Sequence, residues 1–309
     1  MASSISTVSI FWRVLIIFSL SIFGALARRA GWFREEARAT IANLILNISL
    51  PSLIFASMTS DVTWERLALG AVAPILSLVL ILLMMGLAIG LSRLMALADW
   101  RRGTFIVLCS MPNSGFIAFP VALSVFGQEG LAYAVLYDVG VTTALCTVAI
   151  LALREGRGEQ GSWKALINPC LMATFSALVL NMAGVRVPQL ILEPLRIMGN
   201  ATTPLAMLMM GYLLSGLTVG SNAVSLELGV VVVCKLLVYP FLAYLLMLPL
   251  NLDPLVKTIS IMVASMPSMA STPVLVEKYG GDSEFAVAGV FVTTLLSIVT
   301  IPLMVGFFG

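Results

Sequence analysis

Two proline-containing stretches hold side chains that could bind a small polar molecule. One stretch, CSMPNSGFIAFP, begins at Cys109, and the other, ASMPSMASTP, begins at Ala264; both lie in the middle of long apolar runs. A proline removes a backbone N–H donor and clashes with the carbonyl four residues back, so a helix is expected to break at each stretch. The half-helix N-termini and free amides at such breaks favour an anionic group.

The side chains at these breaks are suited to a carboxylate ligand. Asn113 and Ser114 follow the first break and can donate hydrogen bonds to a carboxylate. The hydroxyls of the second stretch are weaker candidates, because Ser and Thr often bond the backbone of their own helix. Either stretch alone could be an ordinary proline kink, but two similar breaks favour a binding site. The predicted substrate-binding residues at the breaks are Pro112, Asn113, Ser114, Pro267, Ser268, Ser271 and Thr272.

Two Asn-x-x-x-Pro elements, which start at Asn47 and Asn200, form a second polar layer. Both asparagines are predicted to line the path of the substrate. Equally, they could cap or bridge neighbouring helices, since buried polar side chains hold membrane helices together. Close to the second element, Glu193 and Arg196 have the i,i+3 spacing of a local surface ion pair.

Two ionisable residues lie well inside apolar runs, Asp138 in LAYAVLYDVGV and Lys235 in VVVVCKLLVYP. An unpaired charge at the centre of a bilayer costs at least ~2.5 kcal/mol, so both are expected to face the protein interior or water. In one interpretation they pair with each other. In another, Asp138 binds a coupling cation or proton while Lys235 attracts an anionic substrate. Lys235 could also extend its amine to the membrane surface.

The composition identifies the surroundings of these residues as a membrane. Of the 309 residues, 60% are hydrophobic and 10% are charged, whereas a soluble domain carries roughly 25% charged residues. There is no histidine, and the four cysteines lie in apolar runs without CxxC spacing, so we expect no histidine-based metal site and no disulfide framework. The sequence has no GxxxxGK[ST] loop and no basic patch interleaved with aromatic residues, so we expect no ATP-driven pump, no cofactor and no nucleic-acid partner.

Apolar runs of about 20 residues, the length that crosses a bilayer core ~30 Å thick, recur along the chain. The alternating strands of a membrane β-barrel do not occur, so the runs are expected to be helices. Loops after odd-numbered runs carry eleven Lys and Arg residues against five on the other side, which puts those loops in the cytoplasm and both termini outside. The ten predicted spans of this all-α integral membrane protein are residues 9–27, 38–58, 67–91, 103–126, 130–153, 166–184, 197–217, 226–249, 255–277 and 284–308.

The two halves of the chain repeat each other. Asn47 and Asn200 are 153 positions apart, and the tripeptides SMP and VTT recur at offsets of 155 and 151. Each half has five spans, an odd number, so the halves must have opposite orientations, as is typical of secondary transporters. The predicted parts are a five-helix repeat at 1–153, a cytoplasmic linker at 154–165 and an inverted five-helix repeat at 166–309.

The segment MPNSGFIAFPVALSVFGQEGLAYAVLYDVG resembles the fourth and fifth spans of the auxin efflux carrier family in its bacterial form. The NxSLPxLIF pattern at 47–55 and NATTPLAMLMMG at 200–211 are also similar to that family. The resemblance implies two inverted five-helix repeats in which broken spans four and nine cross at their prolines, as in bile-acid symporters. It implies that the substrate is a small organic anion, auxin in plants and carboxylates such as malonate in some bacteria. A homodimer is implied as well.

By the same resemblance, Pro112 and Pro267 match the two crossover prolines, and Asn113 matches an asparagine that contacts the carboxylate. The plant carriers have a second crossover asparagine where this chain has Ser268. That departure argues against auxin itself as the substrate.

These features predict a carrier of the bacterial inner membrane that moves a small organic anion by alternating access, with its site where spans four and nine cross. The alternative is a sodium- or proton-coupled symporter or antiporter of the same fold, in which Asp138 binds the coupling cation. Related antiporters usually have two adjacent carboxylates in one span, and this chain offers one. An intramembrane enzyme would need an Asp pair or a Ser with a His, and the spans contain neither.

Overall fold

The structure is a computed structural model that describes residues 7–33, 35–60, 62–153, 168–216, 225–279 and 281–308. Within these ranges the chain is all-helical, and one isolated pair of bridged residues is the nearest approach to a strand. The predicted linker at 154–165 lies outside the described residues. The α-helices are α1 (Thr7–Arg29), α2 (Glu35–Leu44), α3 (Leu50–Ser60), α4 (Trp64–Leu69), α5 (Ala73–Leu94), α6 (Asp99–Ser110), α7 (Phe119–Ala144), α8 (Ile150–Leu153), α9 (Pro169–Met182), α10 (Gln189–Asn200), α11 (Thr202–Ser215), α12 (Leu226–Val233), α13 (Tyr239–Met247), α14 (Pro254–Ala264), α15 (Thr272–Tyr279) and α16 (Ser283–Phe308).

Seven helical segments among the described residues are long and apolar enough to cross a membrane. Two shorter apolar helices, α9 and α14, accompany them. Length and composition therefore support a multi-pass membrane protein, while the count of ten spans in two inverted repeats stays a prediction. The seven segments are Ile10–Arg29, Thr40–Thr59, Trp64–Leu94, Ser114–Ala149, Gln189–Ser215, Leu226–Met247 and Ser283–Phe308.

A glycine interrupts α7, which holds the end of the fourth predicted span and the start of the fifth. Gly127 within α7 has φ 70° and ψ −160°, a conformation that is strained for any residue with a Cβ. The gap that the sequence predicts between residues 126 and 130 includes this position. Glycine therefore lets the chain change direction there without strain.

Both proline-containing stretches break their helices. At the first, α6 ends at Ser110, and Met111 is extended with φ −92° and ψ 115°, as expected for a residue that precedes a proline. Helical backbone resumes at Ser114, in a π-helical turn that leads into α7. At the second, α14 ends at Ala264 and α15 begins at Thr272. The breaks predicted from the prolines are confirmed.

The helices pack in two contiguous groups. In one group α1 packs along α11, and α3 packs against α9 and α10; in the other, α5 packs with α6 and α7, and α14 packs with α7 and α16. The groups meet where α1 contacts α16 and α7, and where α3 contacts α7. The α1–α11 contact is close, because Gly24 lies against the backbone of Leu208 and Gly211 lies against the backbone of Ser21.

Candidate functional site

The two broken segments meet and pair through their backbones. The N–H of Asn113 donates to the carbonyl of Pro267 at 2.9 Å, and the N–H of Met269 donates to the carbonyl of Met111 at 3.1 Å. Backbone groups freed by a break inside an apolar protein must be satisfied by other protein groups or by water. Here each broken segment satisfies one backbone N–H and one carbonyl of the other. The two stretches form one structural unit, which we call the crossing.

Ser268 ties the crossing to its neighbours. It forms an antiparallel bridge with Pro112 and has no exposed surface. Its hydroxyl donates to the carbonyl of Leu108 at 2.7 Å, and its N–H donates to the hydroxyl of Thr293 at 3.2 Å. Because the Ser268 hydroxyl already donates to a protein acceptor, its clearest role in this structure is to hold α6 and α16 against the crossing.

Asn113 contributes a donor that has no acceptor. Its side chain is 1% exposed, and its Nδ2 has no hydrogen-bond partner among the described residues. Leaving a buried donor unpaired costs about 1–3 kcal/mol, so such a group in a native protein needs an explanation. An oxygen atom of a ligand at the crossing would supply the missing acceptor.

Ser114 and Asp138 are brought together beside Asn113. The Ser114 hydroxyl donates to Oδ1 of Asp138, and the Thr142 hydroxyl donates to Oδ2 at 3.3 Å. Ser114 is buried, whereas Asp138 and Thr142 are partly exposed. The sequence reasoning missed Thr142, although its position four residues after Asp138 on α7 was a usable signal. The result is a carboxylate with two hydroxyl donors at the edge of the crossing.

Lys235 is held apart from this carboxylate. It is fully buried, with Nζ 3.4 Å from the carbonyl oxygen of Ala264 and 3.9 Å from the centre of the Tyr239 ring. Ala264 is the last residue of α14, where carbonyls without helical partners carry partial negative charge. Within the described part of the chain Lys235 does not pair with Asp138, and its amine does not reach the surface. Both of those interpretations are therefore wrong.

The other predicted residues of the crossing differ in exposure. Pro112 and Pro267 are buried, and Ser271 is partly exposed. Thr272 is fully buried, and in the ranges that the structure describes its hydroxyl has no hydrogen-bond partner. The same holds for Thr294 on α16, which the sequence reasoning did not single out.

The two Asn-x-x-x-Pro asparagines do not join the crossing through hydrogen bonds. Asn47 and Asn200 are both exposed, and their side chains make no hydrogen bond to a described residue. Two positions further on in each element, Ser49 and Thr202 are fully buried, with hydroxyls that lack partners among the described residues. The buried polar side chain of each element is thus the hydroxyl and not the asparagine.

The chain matches membrane transporters along nearly its whole length. The sequence model of a family described as "Membrane transport protein" matches residues 9–305. An uncharacterized transporter of Methanocaldococcus jannaschii is 29% identical over 302 residues, which cover 94% of this chain and 96% of that protein. A Rhizobium meliloti protein named "Putative malonate transporter" is 25% identical over 299 residues, with 93% and 92% covered. The uncharacterized transporter YfdV of Escherichia coli is 21% identical over 306 residues, with 94% and 95% covered.

Proposed function

This chain belongs to the membrane transport protein family, the family of the auxin efflux carriers, and we propose that it is a secondary transporter of a small carboxylate. The substrate binds at the crossing of the two broken segments. The carrier lies in a bacterial inner membrane with both termini on the periplasmic side, since Lys and Arg are concentrated in the loops of the other side.

The observation that carries the proposal is the unpartnered amide of Asn113. This donor is 1% exposed and lies in the crossing, next to the backbone bond between the two broken segments. A carboxylate oxygen is a strong acceptor, and a hydrogen bond to a charged group contributes about 1.5–3 kcal/mol. The proposed substrate therefore satisfies a group that the protein itself leaves unpaired.

The proposed transport cycle uses the two halves of the chain. We place two inverted five-helix repeats at residues 1–153 and 166–309, with ten membrane spans in all. Inverted halves can exchange inward-open and outward-open arrangements about a site near the middle of the membrane. The crossing joins one broken segment from each half, so it lies where such an exchange would expose it alternately to the two sides.

The substrate class is supported by one relative. The Rhizobium meliloti protein, 25% identical to this chain, is named for malonate. Malonate is a short dicarboxylate, and the unpartnered amide of Asn113 at the crossing is a donor of the kind that binds a carboxylate. We therefore propose short dicarboxylates as the first compounds to test.

The proposal is tested by uptake of radiolabelled malonate into proteoliposomes preloaded with unlabelled malonate. Wild-type protein is expected to accumulate label by exchange, and Asn113→Ala is expected to reduce the rate at least about tenfold, since a lost charged hydrogen bond is worth roughly 1.5–3 kcal/mol. Ser110→Ala is the matched control, because the Ser110 hydroxyl donates to the Ile106 carbonyl of its own helix at 2.7 Å. Equal rates for Asn113→Ala and Ser110→Ala would overturn the proposed site.

A second candidate function is cation-coupled transport through Asp138. The observation that favours it is a partly exposed carboxylate that accepts hydrogen bonds from Ser114 and Thr142 and pairs with no Lys or Arg of the described chain. Oxygen atoms of one carboxylate and two hydroxyls could hold a sodium ion or a proton beside the substrate.

Coupling at Asp138 is tested by imposing a sodium or a proton gradient on the same proteoliposomes. If Asp138 couples cation flux to malonate flux, a gradient drives net malonate uptake by wild-type protein. Asp138→Asn then exchanges malonate but does not respond to the gradient. Gradient-driven uptake by Asp138→Asn at the wild-type rate would rule this candidate out.

A further inference from the structure

A cavity of about 320 Å³ lies where α3, α10 and the Gly127 corner of α7 meet. Its size is at the lower end of the roughly 300–1,000 Å³ that is usual for small-molecule sites. Gln128, in its wall, follows Ser114 by fourteen positions along the chain, so this wall is displaced along α7 from the crossing. The six lining residues are Leu53, Ala56, Ser57, Gln128, Arg196 and Asn200.

The packing of α10 turns Arg196 toward this cavity. The buried residues of α10 are Leu192 and Gly199, which lie four positions before and three positions after Arg196 on the same helical face. Gly199 allows α10 to approach α3 closely, since a Cβ there would be 2.7 Å from the Cα of Leu53. The Arg196 guanidinium is thus placed beside the cavity, on the side of α10 that packs against α3.

The ion pair predicted between Arg196 and Glu193 exists. Nη1 of Arg196 is 3.2 Å from Oε1 of Glu193, and the Glu193 side chain is 54% exposed. An exposed ion pair contributes little to stability, so a carboxylate in the cavity can replace Glu193. A guanidinium binds a carboxylate through two parallel N–H···O bonds, which suits Arg196 to this ligand.

The rest of the lining suits a short dicarboxylate. Oε1 of Gln128 is buried without a hydrogen-bond partner in the described structure, and its carboxamide can present either donors or an acceptor. The Ser57 hydroxyl donates to the backbone carbonyl of Gln128 at 3.3 Å, which holds these two lining residues together. Leu53 and Ala56 add an apolar surface for the hydrocarbon part of the ligand.

We propose that this cavity is a second anion site, in which Arg196 binds one carboxylate of a small dicarboxylate at the periplasmic mouth of the carrier. Its substrate class and its side of the membrane rest on the proposed function. A ligand held there is separate from a ligand at the crossing, so the cavity binds carboxylates whether or not Asn113 is intact.

The test introduces a reporter thiol by Asn200→Cys, because residue 200 is exposed and lines the cavity. Purified protein in detergent is labelled with an anionic or a cationic methanethiosulfonate, and protein without the new cysteine gives the background from the four native cysteines. The ratio of anionic to cationic labelling rates is expected to fall roughly tenfold with Arg196→Gln, as removal of a nearby charge predicts, and to be kept by Arg196→Lys.

Malonate is expected to protect the thiol in the Asn200→Cys protein and equally in Asn200→Cys with Asn113→Ala, but not with Arg196→Gln. Malonamide, which lacks the charge, should not protect. Protection that disappears with Asn113→Ala and persists with Arg196→Gln would overturn the proposal and make the cavity only a path to the crossing. Protection by vesicles of anionic phospholipid but not by malonate would also overturn it. None of these labelling measurements requires transport. A failure of the proposed transport function would appear in the uptake assay, whereas a failure of the second site would appear here.

Discussion

Replacement of Asn113 by alanine should separate ligand binding from folding. In the ligand-free protein the substitution removes a buried donor whose lack of a partner costs about 1–3 kcal/mol, and it also removes side-chain packing worth a similar amount. These terms oppose each other, so we expect the free energy of unfolding to change by less than about 1 kcal/mol. Most buried polar residues cost more when replaced, because they have partners.

The substitution has a larger effect on the stabilisation that a bound ligand gives. A ligand at one hundred times its Kd stabilises the folded protein by about 2.7 kcal/mol, which for a chain of this size raises Tm by roughly 5 °C. Loss of a charged hydrogen bond near the upper end of 1.5–3 kcal/mol weakens binding about one-hundredfold. The same concentration is then close to Kd, and the stabilisation falls to about 0.4 kcal/mol, a shift of about 1 °C.

The assay is a thermal unfolding screen of purified protein against a series of short mono- and dicarboxylates, with wild type, Asn113→Ala and Ser110→Ala side by side. Ser110→Ala should lower Tm slightly without ligand and keep the full ligand shift, since its hydroxyl serves its own helix. A full ligand shift in Asn113→Ala would show that Asn113 does not bind the ligand. A loss of more than about 3 kcal/mol in ligand-free Asn113→Ala would show that Asn113 is a structural group.

Three further substitutions probe the framework of the crossing. Ser268→Ala should lower the free energy of unfolding by about 1–2 kcal/mol through loss of its 2.7 Å bond to Leu108, yet leave the carboxylate-induced Tm shift intact; loss of that shift would make Ser268 a ligand contact. Lys235→Glu should prevent stable folding, because it places a carboxylate against the C-terminal carbonyls of α14. Lys235→Met should lower the free energy of unfolding by only about 1–2 kcal/mol. Equal amounts of folded protein for the two variants in gel filtration would contradict this. Gly211→Val should destabilise the protein by more than about 3 kcal/mol, since its side chain would overlap the backbone of Ser21; an unchanged Tm would show that α1 and α11 can separate freely.

The local breaks were predictable because their causes are local. A proline acts on the backbone within four residues of itself, so Pro112 and Pro267 mark interruptions whatever the surrounding fold. Gly127 is similar, since only the absence of a Cβ makes its φ of 70° easy. The membrane setting was also predictable, because it depends on composition summed over the chain. What these residues share is that their effect does not depend on a distant partner.

Side-chain direction in the second polar layer was not predictable in the same way. The sequence favoured Asn47 and Asn200, but the buried polar groups are Ser49 and Thr202. Asn47 and Ser49 both lie in the π-helical turn Ile45–Ser49, and the extra residue of a π turn displaces side chains from regular α-helical positions. Which side chain of this element is buried therefore depends on the folded backbone.

Composition and local pattern were enough to predict an all-helical membrane protein, its breaks and its family resemblance, and they singled out Asn113, Ser114 and Asp138. Which of these residues meet depends on the tertiary fold. It joined Ser114 to Asp138, set Lys235 against the end of α14, and turned Arg196 into a cavity beside Gln128. The physical reason is that hydrogen bonds and ion pairs act over about 3–4 Å. Such contacts join residues far apart in the chain, and helix packing brings those residues to contact distance.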